Sequence, residues 1–231
     1  MKATVCVALA LGAGLLAGAV PTRAQSSPES PGQAPYSHMH TLLQRTLLKI
    51  DVLTVDVCFD AETARRFARL AGRGRLTRAA ADSIVAAALA SEHAQARVGF
   101  LRDVSLDDFL EGVRDDLWQA VEAGLLADSV FRVLQAGLPS WYSPLRRRGI
   151  RKGDQILYDM GRDEVRTVFL RREGTTALEH RERGRGLRNS PLTTWLAQGS
   201  SFRPGLLESL RRDGARDGSR GFAGRCRAGG E

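Results

Sequence analysis

The segment AQARVGFLRDVSLDDFLEGVRDDLWQAV, residues 94–121, decides the fold because it joins a strand directly to a helix. Val98 and Phe100 alternate with polar or small neighbours, which is the period-two pattern of a strand. Ser105 is a typical N-cap residue, and Asp108 stands three places on, where the helix dipole favours negative charge. Apolar residues then recur at helical spacing to the end of the segment. The sequence thus predicts a sheet with an amphipathic helix packed against it.

Residues 1–24 have the three parts of a secretory signal peptide. Lys2 supplies positive charge, residues 5–20 form an uncharged apolar run, and residues 22–24 offer a small-x-small cleavage site. The apolar run is shorter than the ~20 residues that a membrane-spanning helix needs. We therefore predict that the segment is cleaved and that the protein is secreted or periplasmic.

The rest of the chain divides into a linker, one domain and a tail. Residues 25–40 begin with a run rich in Pro, Ser and Gly that buries no apolar area, which predicts a disordered linker. Residues 41–212 have the length of one domain, and a hydrophobic content of 43% is enough to build a core. Residues 213–231 are rich in Arg and Gly and are predicted to be a disordered tail. No segment after the signal peptide is long and apolar enough to span a bilayer.

The order of the elements predicts an α+β domain, with one antiparallel sheet backed by helices on one face. The predicted strands are residues 46–59, 94–104, 155–160, 164–171 and 175–181. The predicted helices before the last strands are residues 61–70, 77–90, 105–121 and 127–135. Gly137 and Pro139 are expected to end the last of these helices. Pro191 and Gly199 are expected to bracket a later, short helix.

The net charge of +8 comes almost wholly from arginine. Basic residues concentrate at residues 146–152, 171–172 and 181–188 and in the tail, where many alternate with acidic residues. A nucleic-acid-binding surface would instead combine a basic stripe with aromatic side chains. We therefore predict surface loops with ion pairs, and no nucleic-acid partner. Peripheral contact with anionic envelope components is the alternative.

The histidines and cysteines do not predict a metal or cofactor site. His38 and His40 would point to one side of a strand, but they adjoin the linker and the sequence shows no third ligand. Cys58 lies in the first predicted strand, as a small apolar core residue or as a disulfide partner of Cys226 in an oxidising compartment. The prediction is accordingly no metal and no cofactor.

Four blocks in chain order resemble the chalcone isomerase family, specifically its secreted bacterial branch. The blocks are TLLKIDVLTVDVCFD at 46–60, RVGFLRDVSLDDF at 97–109, GIRKGDQILY at 149–158, and SPLTTWLAQG at 190–199 with PGLLESL at 204–210. The resemblance implies the open-faced β-sandwich of that family, in agreement with the α+β class predicted from the patterns.

The resemblance also implies a ligand site. The family's enzymes cyclise chalcones with an arginine near the first strand, a tyrosine and an asparagine on the helix after the junction, and a hydroxyl residue before the late helix. Those positions fall on Arg45, Phe109, Asp116 and, with a displacement, Ser190. Phe109 has no hydroxyl and Asp116 carries a charge in place of an amide, so we expect no chalcone cyclisation. The family's fatty-acid-binding members use the same arginine for a carboxylate, which predicts Arg45, Phe109 and Asp116 as ligand-binding residues.

These expectations combine into one function and two alternatives. The prediction is a non-catalytic binder of a small amphipathic ligand such as a fatty acid, with its head at Arg45 and its body against Phe109 and Trp118 or Trp195. One alternative is an isomerase (an intramolecular lyase) acting on an aromatic or enone substrate. The other is an envelope-associated interaction domain without a ligand.

Overall fold

The computed structural model describes residues 37–45, 50–71 and 75–213, with side-chain environments at 37–43, 52–71 and 75–210. The strands are β1 (Ser37–Arg45), β2 (Ile50–Phe59), β3 (Ala94–Phe100), β4 (Gln155–Met160), β5 (Glu164–Leu170) and β6 (Thr176–Arg183). The helices are α1 (Ala61–Ala71), α2 (Arg78–Leu89), α3 (Leu106–Glu122), α4 (Asp128–Trp141), α5 (Arg185–Arg188), α6 (Ser190–Leu196) and α7 (Arg203–Asp213), with a 3-10 turn at Ser143–Leu145.

The strands of the described residues form one six-stranded sheet in which the strand order follows the chain order. Every neighbouring pair is antiparallel. Alternate residues of β3 are buried, and the register places Val98 between Val55 of β2 and Ile156 of β4, both also buried. These residues define the inner face of the sheet, which α3, α4 and α6 cover. The predicted α+β class with a single antiparallel sheet is confirmed.

The N-terminal part of the sheet differs from the prediction. The strand expected at residues 46–59 corresponds to β2, which begins at Ile50; residues 46–49 lie outside the described residues. Residues 37–40, which were assigned to the linker, belong to β1. Met39 is fully buried, so β1 adds apolar surface to the core. The free edge of β1 is covered by α7, where the Ser209 hydroxyl accepts a hydrogen bond from the His40 N–H at 2.7 Å. Covering an edge strand in this way satisfies its outward backbone groups.

The strand-to-helix junction forms as expected, although β3 is shorter than predicted. The Ser105 hydroxyl accepts a hydrogen bond from the Asp108 N–H at 3.0 Å and caps α3. β3 ends at Phe100 instead of residue 104, because the chain turns away from β2 and β4 there. Val104 makes only an isolated bridge to Ile150.

The prediction that Gly137 and Pro139 end the fourth helix is wrong. α4 continues through both residues to Trp141. A β-carbon at Gly137 would lie 2.1 Å from the Trp141 ring, so the glycine leaves space for that ring to fold back along the helix. Pro139 lies within the last turn, where a missing N–H costs the helix one hydrogen bond.

The turn that leads into β4 is held by a buried ion pair. Arg171 Nη1 lies 2.9 Å from Asp154 Oδ2, with about 6% and 1% of the two side chains exposed. The same carboxylate accepts hydrogen bonds from the N–H groups of Arg151 and Arg172. Arg171 also donates to the Gly149 carbonyl at 2.7 Å. This network fixes both ends of the glycine-containing turn against β5.

The arginines of the basic runs take two kinds of position. On the outer face of the sheet, Arg166 makes a two-pronged pair with Glu179, and Glu164 pairs with Arg181 and Arg183. These cross-strand pairs agree with the predicted surface ion pairs. Arg188 differs from the prediction because it is buried. It is only 1% exposed and donates to the carbonyls of residues 160 and 161 at the end of β4.

Four further predictions concern residues 1–36 and 214–231, which lie outside the described residues. They are the signal peptide, the disordered linker as far as residue 36, the disordered tail, and the pairing of Cys58 with Cys226; Cys58 itself is buried in β2. Among the described helices, none combines the length and the apolar character that a membrane crossing requires.

Candidate functional site

A cavity of about 110 Å³ lies between the inner face of the sheet and helices α3, α4 and α6. Its apolar wall comes from both layers. The helices contribute Phe109, Val113, Leu117, Leu138 and Trp195 to this wall. The helical spacing of positions 109, 113 and 117 on α3 aligns the first three of them along one face.

Aromatic rings set the shape of the cavity. The ring of Phe109 makes an edge contact with Tyr142, with ring centroids 5.2 Å apart. Trp195 makes a similar contact with Tyr158 at 5.6 Å. Such edge-to-face contacts add to the energy of burying the rings. They also connect the apolar wall to a group of polar side chains.

We call that group the polar end of the cavity: Tyr142, Tyr158, His180 and Glu182, all of which line it. The two tyrosine side chains are close enough for their hydroxyls to interact. Burial raises the pKa of Tyr158 to about 12 and that of Tyr142 well above its ordinary value. Both phenols are therefore neutral hydrogen-bonding groups at physiological pH.

His180 and Glu182 each present an unpaired atom within the polar end. His180 Nε2 and Glu182 Oε1 are buried and have no hydrogen-bond partner among the described residues. They lie 3.9 Å apart, which is too far for a direct hydrogen bond. Burial raises the pKa of Glu182 to about 7 and lowers the pKa of His180. The imidazole stacks on Trp141, with ring centroids 4.4 Å apart.

The four residues of the polar end were not predicted from the sequence. Alternation along β6 turns residues 178, 180 and 182 inward, while Arg181 and Arg183 pair with Glu164 on the outer face. The run EHRER has the composition of a surface strand, although two of its five residues, His180 and Glu182, line the cavity. The two tyrosines come from separate elements, since Tyr142 follows α4 and Tyr158 lies in β4. The alternation of β6 was the one signal available in the sequence.

The predicted site residues are partly brought together. Phe109 and Asp116 both line the cavity, as does Ser190, and Asp116 is half-buried. Arg45 is the last residue of β1, paired with Ile50; its side chain lies outside the described ones, so its role stays a prediction.

The two candidate tryptophans differ in position. Trp195 is buried against the cavity. Trp118 is 48% exposed and contacts Phe131 instead.

The arrangement is suited to hold a hydrogen-bonding group. A buried polar atom without a partner costs about 1–3 kcal/mol, and two such atoms face the same space. A single oxygen placed between His180 Nε2 and Glu182 Oε1 would satisfy both. The opposite wall is apolar, so the cavity has the two-ended character of an amphipathic ligand.

Comparison with solved structures finds similar chains. A fatty-acid-binding protein of Arabidopsis thaliana is similar in structure at 14% sequence identity and a TM-score of 0.45, over 78% of this chain and 87% of that chain. No family model matches the chain, and no curated protein does.

Proposed function

We propose that this protein is a non-catalytic binder of a small amphipathic ligand, held in the cavity between the sheet and helices α3, α4 and α6. The observation that carries the proposal is the pair of unpartnered polar atoms, on His180 and Glu182, in a cavity that also has an apolar wall. A ligand with one polar head would remove their desolvation cost and bury its apolar body at the same time.

The volume of the cavity limits the ligand's body. A cavity of about 110 Å³ is comparable with the ~150 Å³ engineered cavity that binds benzene, and smaller than the ~300 Å³ at the lower end of drug-sized sites. It has room for one ring or a short hydrocarbon segment. A longer acyl chain would have to extend past lining residues that are only half-buried, such as Phe109, Val113 and Asp116.

The charge state of Glu182 limits the ligand's head. When Glu182 is ionised it repels a carboxylate, and when it is protonated it can donate a hydrogen bond to one. With a pKa of about 7, Glu182 is about ninety per cent protonated at pH 6 and about ten per cent at pH 8. A carboxylate that needs the protonated form should bind about tenfold more weakly at pH 8 than at pH 6, because apparent affinity scales with the competent fraction.

Calorimetric titration of a medium-chain fatty acid at pH 6 and pH 8 tests the proposal. We expect Glu182→Gln to remove the pH dependence and Tyr158→Phe to weaken binding at both values. Glu179→Gln, on the outer face, is the matched control and should behave as wild type. Binding by the wild type that does not change with pH would contradict the position of the head, and no binding by any variant would favour the interaction-domain alternative.

Arg45 offers a second place for the head, from the sequence resemblance alone. A charge-assisted hydrogen bond is worth about 1.5–3 kcal/mol, so Arg45→Ala would weaken binding about ten- to a hundredfold if this side chain holds the carboxylate. The same titration separates the two arrangements. Loss in Arg45→Ala with an unchanged Glu182→Gln would assign the head to Arg45.

The isomerase alternative is supported by one feature, a carboxyl with a pKa of about 7 beside two buried phenols. Such a group is suited to general acid–base chemistry near neutral pH. Phe109 supplies no hydroxyl, and an ionised Asp116 would repel a developing phenolate. We therefore expect no stereoselective cyclisation of a chalcone, monitored by absorbance and chiral chromatography; robust turnover would replace the binding proposal with an enzymatic one.

A further inference from the structure

A second cluster of side chains lies on the outer face of the sheet, away from the cavity. His38 and His40 are two residues apart on β1, so their imidazoles project to the same side. The register places His40 opposite Asp56 of β2. Among the described residues, these three are the group of His, Cys, Asp or Glu side chains whose donor atoms converge as a metal site requires.

The geometry of the cluster is compact. His38 Nε2 lies 3.1 Å and His40 Nδ1 2.9 Å from the same oxygen, Asp56 Oδ1. All three donor atoms lie within 4.8 Å of one another. The side chains of His38, His40 and Asp56 are 22%, 44% and 10% exposed, which leaves a route from solvent.

These distances are close to those of a coordinated ion. Zinc binds histidine nitrogen and carboxylate oxygen at ~2.0–2.2 Å in tetrahedral geometry, which separates the ligand atoms by about 3.3 Å. Asp56 Oδ1 would need to move from each nitrogen by only a few tenths of an ångström. Two histidines and one carboxylate also leave the fourth position open, as in zinc sites that carry a water.

We propose that His38, His40 and Asp56 bind a divalent transition-metal ion, with zinc the best match for this set of ligands. The ion takes the place of the shared hydrogen-bonded protons and joins β1 to β2. It lies on the opposite side of the sheet from the cavity, so it does not depend on the ligand-binding proposal.

Arg97 supports the site from the adjacent strand. Its Nη2 donates to Asp56 Oδ2 at 3.1 Å, the carboxylate oxygen that the histidines do not use. A hydrogen bond of this kind orients the ligating oxygen.

Titration of zinc into the untagged, chelator-treated full chain tests the inference by calorimetry, with cobalt absorbance as a probe of tetrahedral geometry. We expect one equivalent to bind and to raise the melting temperature, since an ion that binds only the folded state stabilises it. His40→Ala and Asp56→Asn should each lose at least a hundredfold in affinity. His93→Ala is the matched control, because His93 pairs with Asp159 at 2.8 Å without a second histidine, and it should bind as wild type.

Circular dichroism of each variant in chelator separates loss of the site from loss of the fold, and His38→Ala gives an independent test at the third ligand. Absence of zinc binding by the wild type at micromolar concentration overturns the inference. So does equal binding by wild type, His38→Ala and His40→Ala.

Discussion

Glu182 connects the chemistry of the cavity to the stability of the whole fold. Its carboxyl has a pKa raised by burial to about 7, from 4.5. Between these two values the folded state holds the proton more tightly than the unfolded state does. The free energy of unfolding therefore falls as the pH rises from about 4.5 to about 7, and stays lowered above that range.

Replacement of this carboxyl by an amide should remove the pH-dependent penalty. We expect Glu182→Gln to be more stable than wild type at pH 8 by up to about 3 kcal/mol, since one unit of pKa is worth ~1.4 kcal/mol. The difference should shrink towards pH 5, as measured by urea unfolding at both values. Glu179→Gln is the control: the pKa of Glu179 is lowered by its hydrogen bond with Arg166, so it should gain nothing at pH 8. An equal gain in both variants would contradict the argument.

Asp154 illustrates the opposite case, a buried charge whose partners are all present. Asp154→Ala would leave the Arg171 guanidinium buried and would also remove the acceptor for two backbone N–H groups. Breaking one side of a buried pair typically costs ~3–5 kcal/mol, and we expect a loss of that size in chemical denaturation. Asp103→Ala, which removes the exposed pair with Arg151, should change stability little. Comparable losses in the two variants would show that the buried network has no special role.

At the level of elements, α4 depends on a glycine that its neighbours make irreplaceable. Alanine normally stabilises a helix interior relative to glycine by ~1 kcal/mol. At Gly137 the added carbon would meet the Trp141 ring at 2.1 Å, so we expect Gly137→Ala to destabilise the protein by about 1–3 kcal/mol. The displaced ring would leave His180, which intrinsic tryptophan fluorescence should detect.

Val133 provides the control for that substitution. It lies on the same helix and is 52% exposed, so Val133→Ala should keep the stability and the fluorescence of the wild type. If Gly137→Ala were stabilising instead, the Trp141 ring would have to have another position of equal energy.

The elements also show which features the sequence could predict. Periodicity and caps predicted α3 and β4, because each of these elements forms from local patterns. β1 was missed because His38 and His40 give its outer face the polarity of the adjoining linker. Gly137 and Pro139 have the composition of a helix end, and the sequence does not show that the Trp141 ring lies against Gly137.

The residues of the candidate site also differ in whether the sequence could predict them. Phe109 and Asp116 were named as site residues from the resemblance to the chalcone isomerase family, and both line the cavity. His180 and Glu182 were not predicted, although alternation from the buried Leu178 along β6 turns both of them inward. The charged residues around them give the strand the composition of an exposed segment.

For the whole molecule, the N-terminal segment carries a prediction that stands apart from the fold. We propose that the chain is exported and that residues 1–24 are removed. Protein purified from its own host should begin within a few residues of Gln25, by N-terminal sequencing and intact mass. Leu11→Arg places a charge in the apolar run that export requires and should remain unprocessed. An intact Met1 in the soluble cytosolic fraction of the wild type would contradict the proposal.

The strand order has a kinetic consequence for the cavity. β4, β5 and β6 are joined by tight turns, and hairpins of this kind form within ~1–10 μs. The pairings of β3 with β2 and β4 must instead close the long insertions that carry α1 to α4, which is slower. Tyr158, His180 and Glu182 therefore lie on the part of the sheet that can assemble first, whereas α3 and α4 dock onto it late. During folding the polar end of the cavity is thus expected to exist as an open, solvated surface before the helices enclose it.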